Sequence, residues 1–374
     1  MENYAKLDPQ SGLSTRLLDF FKTFDFIVDT AIKEQVDAVV FAGDAYKTRD
    51  PNPTQQRGFG ERIKRLAKNN IPTILVIGNH DTPNAEGRAN SLDIYSALEI
   101  EKVWVSRQVE LLKIDTKSGV LQIVTLPWLH KNDYKVVGEK LNLLYEKISP
   151  DSPAIFLSHC EVVGAEYGSE KGMAIANDVT IPLSLIQDRR LSYVALGHIH
   201  KHQVLSKDPL VVYAGSSQRI DFGEEKEEKG ICLVDIPSPG KASFKFIPSN
   251  ARKFQTIIVT LKPNDPNPTQ TVLDEIKKYE IEDKIVRVTI NIPSECDKEI
   301  QIDKIKKALS SANFIAGISR NVERKERERL IGGETVETLT PIQALKKYFE
   351  SKKYSVDQQK EFENYAAILF ENEK

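Results

Sequence analysis

Two stretches decide how this chain is read: Val39-Val40-Phe41-Ala42-Gly43-Asp44 and Leu75-Val76-Ile77-Gly78-Asn79-His80-Asp81. Each is a short apolar run that reaches a glycine and passes directly into residues able to bind a metal. An apolar run of this length bounded by turn residues reads as a buried strand. The polar residues then fall at strand ends, where open α/β sheets carry their sites. The arrangement recurs twice: Ala154 to Ser158 leads into His159, and Tyr193 to Gly197 leads into His198-Ile199-His200. Four strands are therefore expected to deliver Asp44, Asn79-His80-Asp81, His159 and the His198/His200 pair to one edge.

The intervening segments fit that plan. Ser14 is a plausible N-cap for a helix whose apolar positions run Leu17, Leu18, Phe21, Phe24, Ile27, Val28, Ala31 and Ile32. A second helix is expected from about Thr54 to Asn69, so strand and helix alternate and the sheet should be mostly parallel. The runs Val103–Val105, Val109–Ile114 and Val120–Leu126 read as three strands of a meander, turning at Lys117-Ser118-Gly119. A helix near Tyr134 to Ile148 leads to the His159 strand. Further strands are expected near 202–206, 210–214, 230–236 and 242–247, giving two packed sheets with helices outside.

A chain of 374 residues exceeds one ordinary core and suits two or three domains. The boundaries are placed at 1–250 for the core, 251–320 for a small α+β domain, and 321–374 for a charged linker and helical tail. The small domain reads strand, helix, strand, helix, strand from Phe254 to Ser319. The mixed-charge run Asn321 to Arg329 reads as a solvated segment. Gly332-Gly333 interrupts it, and Thr340-Pro341 starts a pair of amphipathic helices ending near Phe370.

The formal net charge of −2 argues against a globally basic nucleic-acid coat and leaves room for a local patch. No apolar run approaches a membrane span, and the first residues lack a signal-peptide pattern, so an intracellular, cytoplasmic protein without a membrane partner is expected. Cys160, Cys232 and Cys296 are scattered, which speaks against a disulfide scaffold or a zinc knuckle.

Asp, Asn and His together suit Mn, Fe or Zn better than Ca. His198 and His200 stand two apart, so in an extended backbone their rings share one side. Two cations about 3.5–4 Å apart can clamp the attacking and leaving oxygens of a phosphoryl displacement. A further histidine near the leaving oxygen can act as acid or electrostatic stabiliser. Each motif alone has a bland reading as a cap, a turn or a buried histidine. Their conjunction in one order favours a site. His130 and His202 lack such company and read as structural.

These ordered motifs, Gly43-Asp44, Gly78 to Asp81, His159 in Leu157-Ser158-His159-Cys160, and Gly197 to His200, resemble those of the calcineurin-like metallophosphoesterase superfamily. Within it the chain resembles the SbcD-type DNA repair exonucleases. That narrower likeness rests on the loop Arg49-Asp50-Pro51, on Val212 to Glu224 followed by Lys229-Gly230, and on a small domain after the core. It covers about residues 1–320 well and the tail loosely.

The resemblance implies an α/β fold: a two-sheet metallophosphoesterase sandwich flanked by helices, with a small α+β capping domain and a helical tail. It implies a manganese-dependent (Mn2+) two-metal DNA exonuclease or endonuclease. Asp44 would bridge the metals, Asn79, His159 and His198 would complete one, and His200 would join the other. His80 would be the catalytic histidine. DNA, an SbcC-type coiled-coil ATPase docked on the tail, and a homodimer are the partners it implies.

The sequence departs from the family pattern in two places. The first motif, D-x-H, is absent, so the first strand and two ligands of one metal are expected to be missing, with low stability. Lys47 stands where relatives carry Asp or His to orient the catalytic histidine, and lysine cannot accept a hydrogen bond; Asp50 is the expected substitute. Two alternatives follow: another phosphodiesterase of the same fold, or a catalytically impaired subunit that binds DNA or the ATPase.

Overall fold

The computed structural model describes residues 3–83, 87–129, 136–168, 179–293 and 300–323, with scattered positions beyond 342. Ser14 caps the first helix, its side chain accepting from the Leu17 amide, and α1 runs Thr15–Lys33. β1 (Val39–Ala42) follows. α2 (Pro53–Lys68) opens with a capping box between Asn52 and Gln55, and with proline in its first turn, where no backbone donor is needed. β2 (Thr73–Val76), α3 (Asp93–Ala97) and β3 (Val103–Ser106) complete the first sheet, ordered β1-β2-β3 and parallel throughout.

This sheet corrects one expectation. β3 is not part of a meander with the two strands after it. It pairs with β2 from Thr73↔Val103 to Val76↔Ser106. The chain between β2 and β3, including α3, forms a crossover that returns it parallel to its predecessor. The next two strands, β4 (Glu110–Thr116) and β5 (Gly119–Leu126), make an antiparallel hairpin in a second sheet.

α4 (Val137–Tyr145) leads to β6 (Ala154–His159). β7 (Glu161–Val162) and β8 (Thr180–Ile181) form a short parallel pair. β9 (Tyr193–Gly197), β10 (Gln203–Lys207) and β11 (Leu210–Tyr213) complete the second sheet, whose order is β10-β11-β9-β6-β5-β4. β12 (Gly230–Ser238) and β13 (Lys241–Pro248) form a hairpin. The chain continues through β14 (Phe254–Thr260), α5 (Pro268–Ile276), β15 (Ile285–Pro293), α6 (Ile302–Ala308) and β16 (Phe314–Glu323), with the three strands in one sheet.

The two larger sheets pack face to face. Ile74 and Val76 of the first meet Ile123, Ile155, Leu157 and Val212 of the second. Ile74, Val76, Ile123, Leu157 and Val212 have no exposed surface, and such side chains contribute roughly 1.5–3 kcal/mol each relative to exposure. Phe59 and Ile63 of α2 cover the outer face of the first sheet, and Val28 of α1 packs with Leu66 beside them. Leu141 and Tyr145 of α4 cover the outer face of the second, against Phe156 and Val194. The expected sandwich with helices outside is what forms.

The chain separates into two compact units. One comprises Met1–Val259, Thr269–Thr289 and Gln301–Ser319; the other comprises Thr260–Pro268, Ile290–Ile300 and Arg320–Lys374. Within the second, the Leu261 amide bonds the Asn291 carbonyl at 3.0 Å. Its positions Gln343, Leu345, Lys346, Phe349, Gln358–Lys360, Phe362 and Tyr365 are helical, and the Phe349 and Phe362 rings stack with centroids 5.4 Å apart. His130, Cys296, the charged run beyond Glu323, Gly332-Gly333 and the Thr340-Pro341 helix start lie outside the described residues. Among the described residues, no helix is long and apolar enough to cross a membrane.

The sandwich narrows where β9 ends. A Cβ added to Gly197 would lie 1.9 Å from the Ala42 carbonyl oxygen at the end of β1, so only glycine lets these two backbones approach. Gly197→Ala is expected to cost about 1–3 kcal/mol by forcing the sheets apart. A urea midpoint equal to that of the unmodified protein would contradict this.

Candidate metal centre

Each motif leaves its strand through backbone that side-chain-bearing residues seldom adopt. Gly43, Asp44 and His198 have φ of 85°, 57° and 94°. A positive φ is uncommon for any residue but glycine and persists only where the surroundings impose it. At Gly43 a Cβ would stand 2.3 Å from His159 Nδ1, so this glycine opens the space that the ring occupies. Asp81, buried in the next turn, locks that turn to the first: its Oδ2 accepts from the Gly78 amide at 3.0 Å and the Ala45 amide at 3.3 Å. Burial and the neighbouring Asp44 carboxylate push the Asp81 carboxyl upward. The His80 amide in turn donates to Asp44 Oδ1 at 2.9 Å.

His159 is the centre of the cluster. Its Nδ1 lies 2.7 Å from the Ala42 carbonyl oxygen. A carbonyl can only accept, so Nδ1 carries the hydrogen and Nε2 holds the lone pair of the neutral ring. Nε2 faces Asn79 Oδ1 at 2.9 Å and Asp44 Oδ2 at 3.2 Å. His198 Nδ1 lies 3.3 Å from both Asn79 Oδ1 and His159 Nε2. Three lone-pair atoms, Nε2, Oδ1 and Oδ2, thus point at one another from 1% exposed His159 and its neighbours. They repel unless a proton or a cation sits among them.

The electrostatics agree. Burial disfavours charge on His159, but the Asp44 carboxylate and the Ala42 hydrogen bond outweigh it and raise the imidazole above its ordinary value. Burial likewise pushes Asp44 up, yet His159 and His80 pull it down to about 2. A proton on Nε2 and a divalent cation are interchangeable ways of satisfying these atoms. Ligands about 2.1 Å from one octahedral cation stand about 3 Å apart, which is the spacing of this set. The donation of the second ring nitrogen to a backbone carbonyl is also the usual support of a metal-binding histidine. Among the described residues, no three His, Cys, Asp or Glu side chains form a metal-holding group by themselves. The set closes only with the Asn79 amide oxygen.

The structure therefore brings Asp44, Asn79, His159 and His198 together. It places His200 in a separate contact, with Nδ1 2.8 Å from Glu224 Oε1. The His80 side chain is exposed beside Asp44. Among the described residues its ring makes no hydrogen bond to Lys47 or to the expected substitute Asp50. His202 is structural, as expected: Nδ1 donates to the Tyr213 carbonyl at 2.9 Å and the ring stacks on Phe246 at 4.2 Å.

Sequence reasoning did not single out Glu224, Lys229 or the anchoring role of Asp81. Glu224 and Lys229 were visible only as parts of a longer likeness, with nothing to mark them as partners of His200.

A family model described as calcineurin-like phosphoesterase matches residues 11–202. The chain is 28% identical over 264 residues to the DNA double-strand break repair protein Mre11 of Sulfurisphaera tokodaii, covering 68% of this chain and 63% of that protein. It is 26% identical over 234 residues to the Mre11 of Thermoplasma acidophilum, covering 60% and 58%. It is 28% identical over 236 residues to the SbcD component of the nuclease SbcCD of Bacillus subtilis, covering 57% and 60%. The chain thus spans 58–63% of the length of these three relatives.

Thiolate ligation plays no part in the cluster. Burial pushes the Cys160 thiol up to about 12 and the Cys232 thiol up to about 11. Both are free cysteines. In folded protein at pH 8, both are expected to react with iodoacetamide at least about tenfold more slowly than an unperturbed cysteine. Peptide mass mapping before and after guanidinium unfolding reads this out, and prompt native labelling of Cys160 would refute it.

Proposed function

We propose that this chain, which belongs to the calcineurin-like phosphoesterase family, is a metal-dependent DNA repair nuclease of the SbcD/Mre11 type. The observation that carries the reading is the convergence of His159 Nε2, Asn79 Oδ1 and Asp44 Oδ2 within 3.2 Å, with His159 Nδ1 committed to the Ala42 carbonyl. Such a set is poorly suited to anything but a cation. In this reading Asp44, Asn79, His159 and His198 hold one manganese ion, and Asp44 with His200 contributes to a second. Bound cations would supply an activated water and positive charge against the phosphodiester.

The chain's own residues supply the rest. The strained Asp44 and His198 backbones keep their side chains aimed at the cluster without a reorganisation step. His80, anchored through its amide to Asp44 and exposed at the side chain, reaches outward and donates a proton to the leaving oxygen of the cleaved strand. Residues 1–250 form the nuclease core, 251–320 the capping domain that orients DNA, and 321–374 the element that docks an SbcC-type coiled-coil ATPase. A cytoplasmic location and a homodimer belong to the same proposal. The names of the relatives support nuclease activity on DNA and partnership with such an ATPase.

Two measurements test it. His80→Ala should lower manganese-dependent DNA cutting by at least about 10²-fold while native mass spectrometry still finds manganese bound; undiminished cutting would remove His80 from catalysis. In the unmodified protein, faster hydrolysis of a chromogenic small diester than of DNA would replace the nuclease by another phosphodiesterase.

A further inference from the structure

Glu224 and Lys229 form a charged pair with almost no contact with solvent: their side chains are 0% and 1% exposed, and Lys229 Nζ lies 2.8 Å from Glu224 Oε2. Every donor of the ammonium is used. It also bonds Glu227 Oε2 at 2.7 Å and the backbone carbonyl of His200 at 2.9 Å. Glu224 Oε2 additionally accepts from the Ile220 amide at 3.0 Å, while Oε1 faces His200 Nδ1 at 2.8 Å. Burial raises the Glu224 carboxyl, but the bond to His200 and the charge of Lys229 overcome it and hold the group at about 2. Glu224 is therefore an ionised acceptor across the working pH range. A buried ion pair of this kind adds little stability over an apolar pair of equal size, so its effect is to be sought in what it contacts.

We infer that Glu224 and Lys229 are positioning residues that fix the tautomer and orientation of His200. The carboxylate at Nδ1 admits only a donor, which puts the ring hydrogen on Nδ1 and the lone pair on Nε2. Lys229 orients Glu224 through Oε2 and tethers the His200 backbone through its carbonyl, so the residue is held from both ends. The arrangement parallels His159 with a different acceptor: a carbonyl there, a carboxylate here. That His200 then serves a cation rests on the nuclease reading; the tautomer does not.

Glu224→Gln separates the two. Lys229 Nζ and the Ile220 amide both donate toward Oε2, so the glutamine must turn its oxygen to them and its NH2 to His200. Nδ1 must then accept, and the ring hydrogen moves to Nε2. The experiment is a long-range 1H–15N correlation spectrum of metal-free protein labelled at histidine nitrogen, at a pH where the ring is neutral. Manganese affinity is measured on the same samples by electron paramagnetic resonance.

In the unmodified protein His200 is expected to be protonated on Nδ1; protonation on Nε2 would overturn the inference whether or not the variant folds. In folded Glu224→Gln the tautomer should invert, and manganese affinity should fall about 10–100-fold. An unchanged tautomer would overturn the positioning role. An inverted tautomer with unchanged manganese affinity would uphold that role and remove His200 from the proposed metal ligands.

Discussion

The hydrogen bond from His159 Nδ1 to the Ala42 carbonyl is the constraint on which the centre depends. It joins the last residue of a strand in one sheet to the last residue of a strand in the other, 117 positions away in the chain. It therefore does two things with one contact. It fixes how close the two sheet edges come, and it commits one ring nitrogen so that the other must face Asp44 and Asn79. Were the ring turned over, the buried carbonyl would face a lone pair and the carboxylate would face a carbon. The local chemistry and the packing of the sandwich are therefore not independent.

The two small residues around that contact follow from it. Gly43 makes room for the His159 ring, and Gly197 makes room for the Ala42 carbonyl. Both precede ligand-type residues whose backbones are left-handed, Asp44 and His198. The apolar faces of Ile74, Val76, Ile123 and Leu157 supply the packing that holds these turns in place. A loosely packed interface could not hold two uncommon backbone conformations opposite each other.

Much of this was legible in the sequence. Strand runs ending in Gly-Asp, Gly-Asn-His-Asp, Ser-His and Gly-His-x-His announce both their secondary structure and their placement at one edge, because strand ends in a parallel layer share a side. The capping residues Ser14 and Asn52 likewise announced α1 and α2. What the sequence did not disclose was pairing. Val103 to Ser106 is apolar and short, and nothing within it says whether its neighbour is β2 or the hairpin that follows. Glu224 was hidden for a related reason. It stands 24 residues from His200 and opens a glutamate-rich stretch that reads as solvated surface, whereas in the fold its side chain has no exposure. Long-range partners of a buried charge leave no periodic trace.

The Glu224–Lys229 pair also sets a limit on how this protein can be improved by design. A search for thermostability would flag it at once, since two buried charges replaced by well-packed apolar side chains often make a protein more stable. Here the same exchange would release the His200 ring and its backbone carbonyl together. Robustness and aim are in direct competition at positions 224 and 229, and a stabilised variant that still cut at full rate would have to draw its gain from elsewhere in the sandwich.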